Sequence, residues 1–268
     1  MPLKDLLKQS PETFPISDED ELSVNLWTNE FIFEVRYAPN ARILDHRGKW
    51  AELISNHMGF KHWQIIENRI DVFSEDQKSR AFVGHDRAGY VLIDSPGKRY
   101  FQGQTEKLLR YLFRLTEFGG RLKTERIGVR CRFGVRYDGT FDELCERTAS
   151  QYISIPQSTR AAFGESARLK DIGIALNYAD EMGRFNTNCG PMTKAELAQF
   201  FQRDTENPPP EVGFYFDIDY FVRPKVEMMG IEIIHKVMRF SDQSVKRFQS
   251  VLEILNGDTL DRKAPIER

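Results

Sequence analysis

Hydrophobic and polar positions alternate without a break from Arg126 to Tyr137, R-I-G-V-R-C-R-F-G-V-R-Y. Ile127, Val129, Cys131, Phe133, Val135 and Tyr137 fall on one side of an extended chain, and Arg126, Gly128, Arg130, Arg132, Gly134 and Arg136 on the other. Because successive strand side chains point to opposite faces, this segment predicts a strand with one apolar face and one bearing four arginines. Phe214, Phe216, Ile218, Tyr220 and Val222 repeat the apolar pattern over 212–222, with Tyr215, Asp217 and Asp219 opposite them. Phe31, Phe33, Val35 and Tyr37 do the same in a first strand over 31–37, with Glu34 and Arg36 on its other side.

Between these strands the period lengthens. Leu108, Leu109, Leu112, Phe113 and Leu115 recur at three- and four-residue spacings, predicting a helix over 104–118 that Gly119-Gly120 ends. A helix over 49–57 has Gly59 as its C-cap. Thr140 with Glu143, and Thr193 with Glu196, have capping-box spacing and predict two more helix starts. A closing helix is expected over 232–255, with Ser241-Asp242 as a break. Further strands are expected over 63–73, over 80–93 with a bend at Gly84 or Gly89, and over 170–179. Gly183 to Gly190 reads as a polar hairpin loop, and 157–168 as a binding loop.

The order β-α-β-β-α, then β-α-β-(α)-β-α, predicts an α+β fold: an antiparallel sheet with helices mainly on one face, and an internal duplication of a β-α-β-β-α unit. The expected organisation is an N-terminal arm (1–22), a first half (23–120), a second half (121–257) and a tail (258–268). The arm contains the acidic run Asp18 to Glu21.

Composition narrows the function classes. With 38 basic and 40 acidic residues the net charge is −2, so any attraction to nucleic acid must come from a local patch. No run approaches the roughly 20 apolar residues that span a bilayer, so no membrane partner is expected and a cytoplasmic location is the simplest reading. The three cysteines match no zinc or redox spacing, and the five histidines match no ligand template. Free thiols and no cofactor are therefore expected.

Chemistry concentrates on the polar side of the sheet. Asp217 and Asp219, at i and i+2, lie roughly 7 Å apart on a strand. With Glu34 as a third carboxylate they would hold a divalent cation for phosphoryl chemistry. The simpler reading pairs them with Arg130 and Arg132 across neighbouring strands. Arg126, Arg130, Arg132, Arg136 and Arg36, enlarged by Lys123 and Arg69, form the candidate surface for a protein partner or a nucleic acid. Phe133 and Tyr137 point away from it, so it lacks the stacking platforms that single strands favour.

I-G-V-R-C-R-F (127–133), F-Y-F-D-I-D-Y-F (214–221), I-I-H-K-V-M-R-F (233–240) and S-V-K-R-F-Q-S-V-L (244–252) resemble, in order, a sporadically distributed family of uncharacterised bacterial proteins of similar length. That family has an R-x-G-L-R-Y-like strand opening its second half, and an L-D-I-D-like strand and a helix closing it. Cys131 and Phe133 depart from the strand pattern. The resemblance carries no activity; it implies a bacterial protein whose patchy inheritance fits defence against phage. The reading is a non-enzymatic interaction or sensing subunit with a protein partner. Its alternatives are a nucleic-acid-binding module and a metal-dependent nuclease or phosphotransferase.

Overall fold

The computed structural model describes residues 26–115, 118–153, 162–164, 168–202 and 207–256. The arm with its acidic run, the tail and most of the 157–168 loop lie outside them. The elements, in chain order, are β1 (Leu26–Tyr37), α1 (Arg42–Asp45), α2 (Arg47–Met58), β2 (His62–Ile66), β3 (Arg69–Phe73), β4 (Ser79–Gly84), β5 (Arg87–Ile93) and α3 (Lys98–Leu112). They continue with β6 (Arg121–Arg136), α4 (Phe141–Tyr152), β7 (Ile174–Ala179), β8 (Arg184–Thr193), α5 (Lys194–Phe201), β9 (Val212–Val222), β10 (Val226–Met229) and α6 (Gly230–Asn256).

The fold is α+β. Among the described residues the strands form one ten-stranded sheet in the order β2-β3-β4-β5-β1-β6-β9-β8-β7, with β10 also on β6. Every pairing is antiparallel. The first strand of each half, β1 and β6, lies at the centre, and the last long strand of each half pairs beside it. The duplication expected from the sequence goes no further than this shared order. The first half inserts an uninterrupted four-strand meander between its helices, while in the second the four strands β7 to β10 are interrupted by the extra helix α5.

One sheet face supplies the core. Phe31, Phe33, Val35 and Tyr37 of β1 and Ile127, Val129, Cys131 and Phe133 of β6 are almost wholly buried beneath side chains of α2, α3, α4 and α6. Phe248 of α6 stacks on Phe133 with ring centroids 4.0 Å apart. Burying each such side chain stabilises the fold by about 1.5–3 kcal/mol. Helix α6 is continuous through Ser241, whose hydroxyl donates to the Val237 and Met238 carbonyls within its own helix.

Both predicted capping boxes form, at Thr140 with Glu143 and Thr193 with Glu196. Gly59 closes α2 at φ 76°, a left-handed conformation that glycine adopts without steric cost. Gly183 to Gly190, expected as a loop, instead runs into β8: Phe185, Thr187 and Cys189 are buried while Arg184, Asn186 and Asn188 are exposed. All three cysteines are free and buried. Among the described residues no helix is long and apolar enough to cross a membrane.

Candidate functional site

Helices leave most of the second sheet face open. Among the described residues only α5 packs there, at one end, where Trp27, Leu197 and Phe201 form a small cluster of their own. Gly134 permits this, since a Cβ on it would meet Trp27 at 2.9 Å and Phe201 at 3.0 Å. Across β1, β6 and β9 the rest of the face is covered by charged side chains from the sheet itself.

The arginines of β6 are engaged. Arg130 donates to Asp217 through two bonds, Nε to Oδ1 at 2.8 Å and Nη2 to Oδ2 at 2.5 Å. Asp217 is 5% exposed in its side chain, so its charge depends on this fork rather than on water. The hydrogen bond to Asp217 raises the Arg130 guanidinium above its ordinary pKa. Arg132 turns the other way and donates to Glu30 of β1 at 2.9 Å. Arg126 donates from Nη2 to both oxygens of Asp219, at 2.6 and 2.8 Å, and stands 3.7 Å from Glu34.

Across β6 and β9 the pairing is diagonal: in register Arg130 faces Asp219 and Arg132 faces Asp217, yet Arg130 pairs with Asp217 and Asp219 goes to Arg126. Arg132 instead pairs with Glu30, the residue directly opposite it on β1. Gly128 accounts for the longest reach. A Cβ there would lie 2.5 Å from the Arg126 guanidinium, so the missing side chain is the groove along which Arg126 crosses to Asp219.

Aromatic rings absent from this side of β6 come from its neighbours. Arg126 lies 4.9 Å over the Phe221 ring and Arg132 lies 5.2 Å over Phe200. Phe200 also packs at 5.3 Å against Tyr215. The alternation within β6 puts no ring on this side; the period-2 position of Phe221, on the same side as Asp217 and Asp219, is the signal that finds one.

The three candidate metal ligands are separated by the same cations. Asp217 is taken by Arg130, while Asp219 and Glu34 converge on Arg126, whose guanidinium sits where a shared cation would. Among the described residues no group of three or more histidine, cysteine, aspartate or glutamate side chains has the arrangement of a metal site. Arg36 pairs with Glu34 at 2.6 Å on its own strand, and Arg69 pairs with Asp71 at 3.0 Å. Arg136 is exposed at the α5 end, opposite Gly213 in register.

No family model matches the chain, and no curated protein sequence matches it.

Proposed function

We propose that the protein is a non-enzymatic interaction subunit that docks a protein partner on the open face between β1, β6 and β9. The observation that carries this reading is the ion-pair lattice itself. This face, which no described helix but α5 covers, fixes the positions of Arg126, Arg130 and Arg132 by forked or stacked contacts. Charges held in place in this way select a partner and its register more than they add raw affinity. Large apolar side chains exposed on the outer strands, Trp63 and Ile65 on β2 and Leu176 and Tyr178 on β7, also suit a chain that works in an assembly.

The alternatives draw less support. An extended nucleic-acid track needs cations free to meet phosphates, and the central arginines are matched one to one with carboxylates. Phosphoryl chemistry needs carboxylates free to hold a metal, and here each is bound by a guanidinium. Membership of the sporadic bacterial family, and a cytoplasmic place in defence against phage, belong to the same proposal and rest on the strand and helix motifs alone.

The test is capture of the tagged protein from its host, with and without nuclease, beside a variant neutralised at Arg130→Gln, Asp217→Asn, Arg132→Gln and Glu30→Gln. Removing both members of each pair avoids stranding a buried charge. A stoichiometric protein that survives nuclease and is lost from the folded variant supports the reading. Retention by the variant, or loss of all bound material with nuclease, defeats it.

A further inference from the structure

At the end of the open face remote from α5, the strands flanking β6 step out of register together. Along β1, Arg36 pairs with Arg126 but Tyr37 pairs with Thr124, leaving Glu125 as a bulge residue. On the other side β9 stops at Val222 opposite Ile127, and β10 resumes at Val226 opposite Thr124. Arg223, Pro224 and Lys225 bridge that gap, with Lys225 at φ 53°. Bulges re-aim side chains and gather beside functional sites. On a regular strand Lys123 and Arg126 would point to opposite faces. The extra residue brings both to one cleft.

That cleft has a volume of about 440 Å³ and is lined by Arg36, Lys123, Thr124, Glu125, Arg126, Arg223 and Lys225. Five of these are cationic. Arg36 and Arg126 already hold Glu34 and Asp219, whereas among the described residues Lys123, Arg223 and Lys225 make no ion pair. Glu227, opposite Lys123 in register, forms none with it. Arg223 is steered by stacking, 5.5 Å over the Phe221 ring that Arg126 covers as well. The charge excess missing from the centre of the ladder is concentrated here, in a concavity of small-molecule size.

We infer that this cleft binds a small polyanion carrying two or more linked phosphate groups. Arginine forks meet phosphate oxygens in pairs and lysines supply point charges, and three cations without an ion pair, set against the single carboxylate of Glu125 in the lining, match a diphosphate or triphosphate better than a single phosphate. The confined volume and the neutralised ladder beyond it favour a small ligand over a polymer tracking the sheet. The inference does not rest on the partner reading, because binding is measured directly with the purified chain.

The experiment is titration calorimetry at low ionic strength with inorganic triphosphate, ATP and a short single-stranded oligonucleotide of mixed sequence. Triphosphate is expected to bind one to one and to weaken as salt is added. The variant Lys123→Gln with Arg223→Gln should lose about tenfold or more in affinity. A control carrying the same charge change on α6, Arg239→Gln with Lys246→Gln, should keep it. Lys225→Asn repeats the test in a residue that tolerates the left-handed backbone at that position. ATP equal to triphosphate assigns the affinity to the phosphates alone, and tighter ATP adds a nucleoside; both uphold the site. It is overturned if triphosphate does not bind, if the control loses as much as the cleft variant, or if the oligonucleotide binds more tightly than triphosphate and ignores the cleft substitutions.

Discussion

Asp217 shows how a single side chain becomes committed to its neighbours. Its carboxylate is almost sealed from water, and its charge is held by the Arg130 fork. Replacing it by Asn leaves Arg130 without its anion and should cost about 1–3 kcal/mol, reduced from the cost of a fully buried pair because Arg130 is part-exposed. Adding Arg130→Gln should recover part of that loss, so a double-mutant cycle by urea denaturation is expected to show coupling between the two positions. Asp180 makes a similar commitment at the sheet edge, accepting from the Tyr220 hydroxyl at 2.5 Å and from Arg247 at 2.9 Å. Burial pushes its carboxyl pKa up, but the Tyr220 bond, the backbone N–H groups of Met182 and Gly183 and the Arg247 charge together bring it below the ordinary value. With the folded value below the unfolded one, its stabilisation is complete above the unfolded pKa and is lost as pH falls through the folded pKa. Asp180→Asn should flatten that acid limb of a melting-temperature profile while leaving the neutral range parallel to wild type.

The strands display a hierarchy of tolerance that the glycines expose. A Cβ on Gly89 of β5 would lie 2.3 Å from both the Phe33 carbonyl oxygen and the Phe82 ring, whereas the three atoms nearest to one on Gly128 all belong to the far end of the Arg126 side chain. Gly89→Ala should therefore destabilise by about 1–3 kcal/mol and Gly128→Ala by less than about 1 kcal/mol, with thermal melts of the two variants checking the order. Gly128→Ala should instead act on the lattice, displacing Arg126 from Asp219. The strands legible in the sequence are those whose alternation runs unbroken: β9 spans 212–222 as its pattern predicts, β1 extends further toward its N-terminus, and β6 starts earlier, at Arg121, and ends one residue sooner, at Arg136. Segments 63–73 and 80–93 read as single strands because their turns, at Glu67-Asn68 and His85-Asp86, are short and polar rather than proline-marked. The helix expected over 104–118 begins at Lys98 instead, because no capping side chain marks its start at Gly97. Its last predicted apolar residues, Phe113 and Leu115, lie in the turn beyond it. The arginines and aspartates were legible as one face, and the Arg130–Asp217 pair forms as the cross-strand reading expects. That Asp219 goes to Arg126 was not legible, since this reach crosses the groove over Gly128, and Arg132 goes to Glu30 on β1 instead. The cleft was the least visible feature, because a bulge at Glu125 breaks the period that sequence reading relies on.

The whole molecule joins its halves through its middle. β1 and β6 pair from Leu26 opposite Val135 to Tyr37 opposite Thr124, placing the longest contact between halves at the centre of the sheet. Phe31 meets Phe133 edge-on across that seam at 5.7 Å, and above the sheet Gln102 of α3 donates to the Met238 carbonyl, Ser241 and Asp242 of α6. Separating 23–120 from 121–257 would expose the facing edges of β1 and β6 and open the shared core. The intact chain is therefore expected to unfold in one calorimetric transition with a van't Hoff enthalpy equal to the measured one, and neither half alone should show a cooperative melt. Two resolved transitions, or a cooperative melt of either separate half, would make the halves autonomous domains. One transition would mean that Phe248→Ala in α6, by unstacking Phe133 at a cost of about 3–5 kcal/mol, lowers the stability of the first half as much as that of the second. Fluorescence of Trp50, buried in the first half, would report that loss. A change there equal to the one seen by far-ultraviolet circular dichroism is the outcome a single core requires.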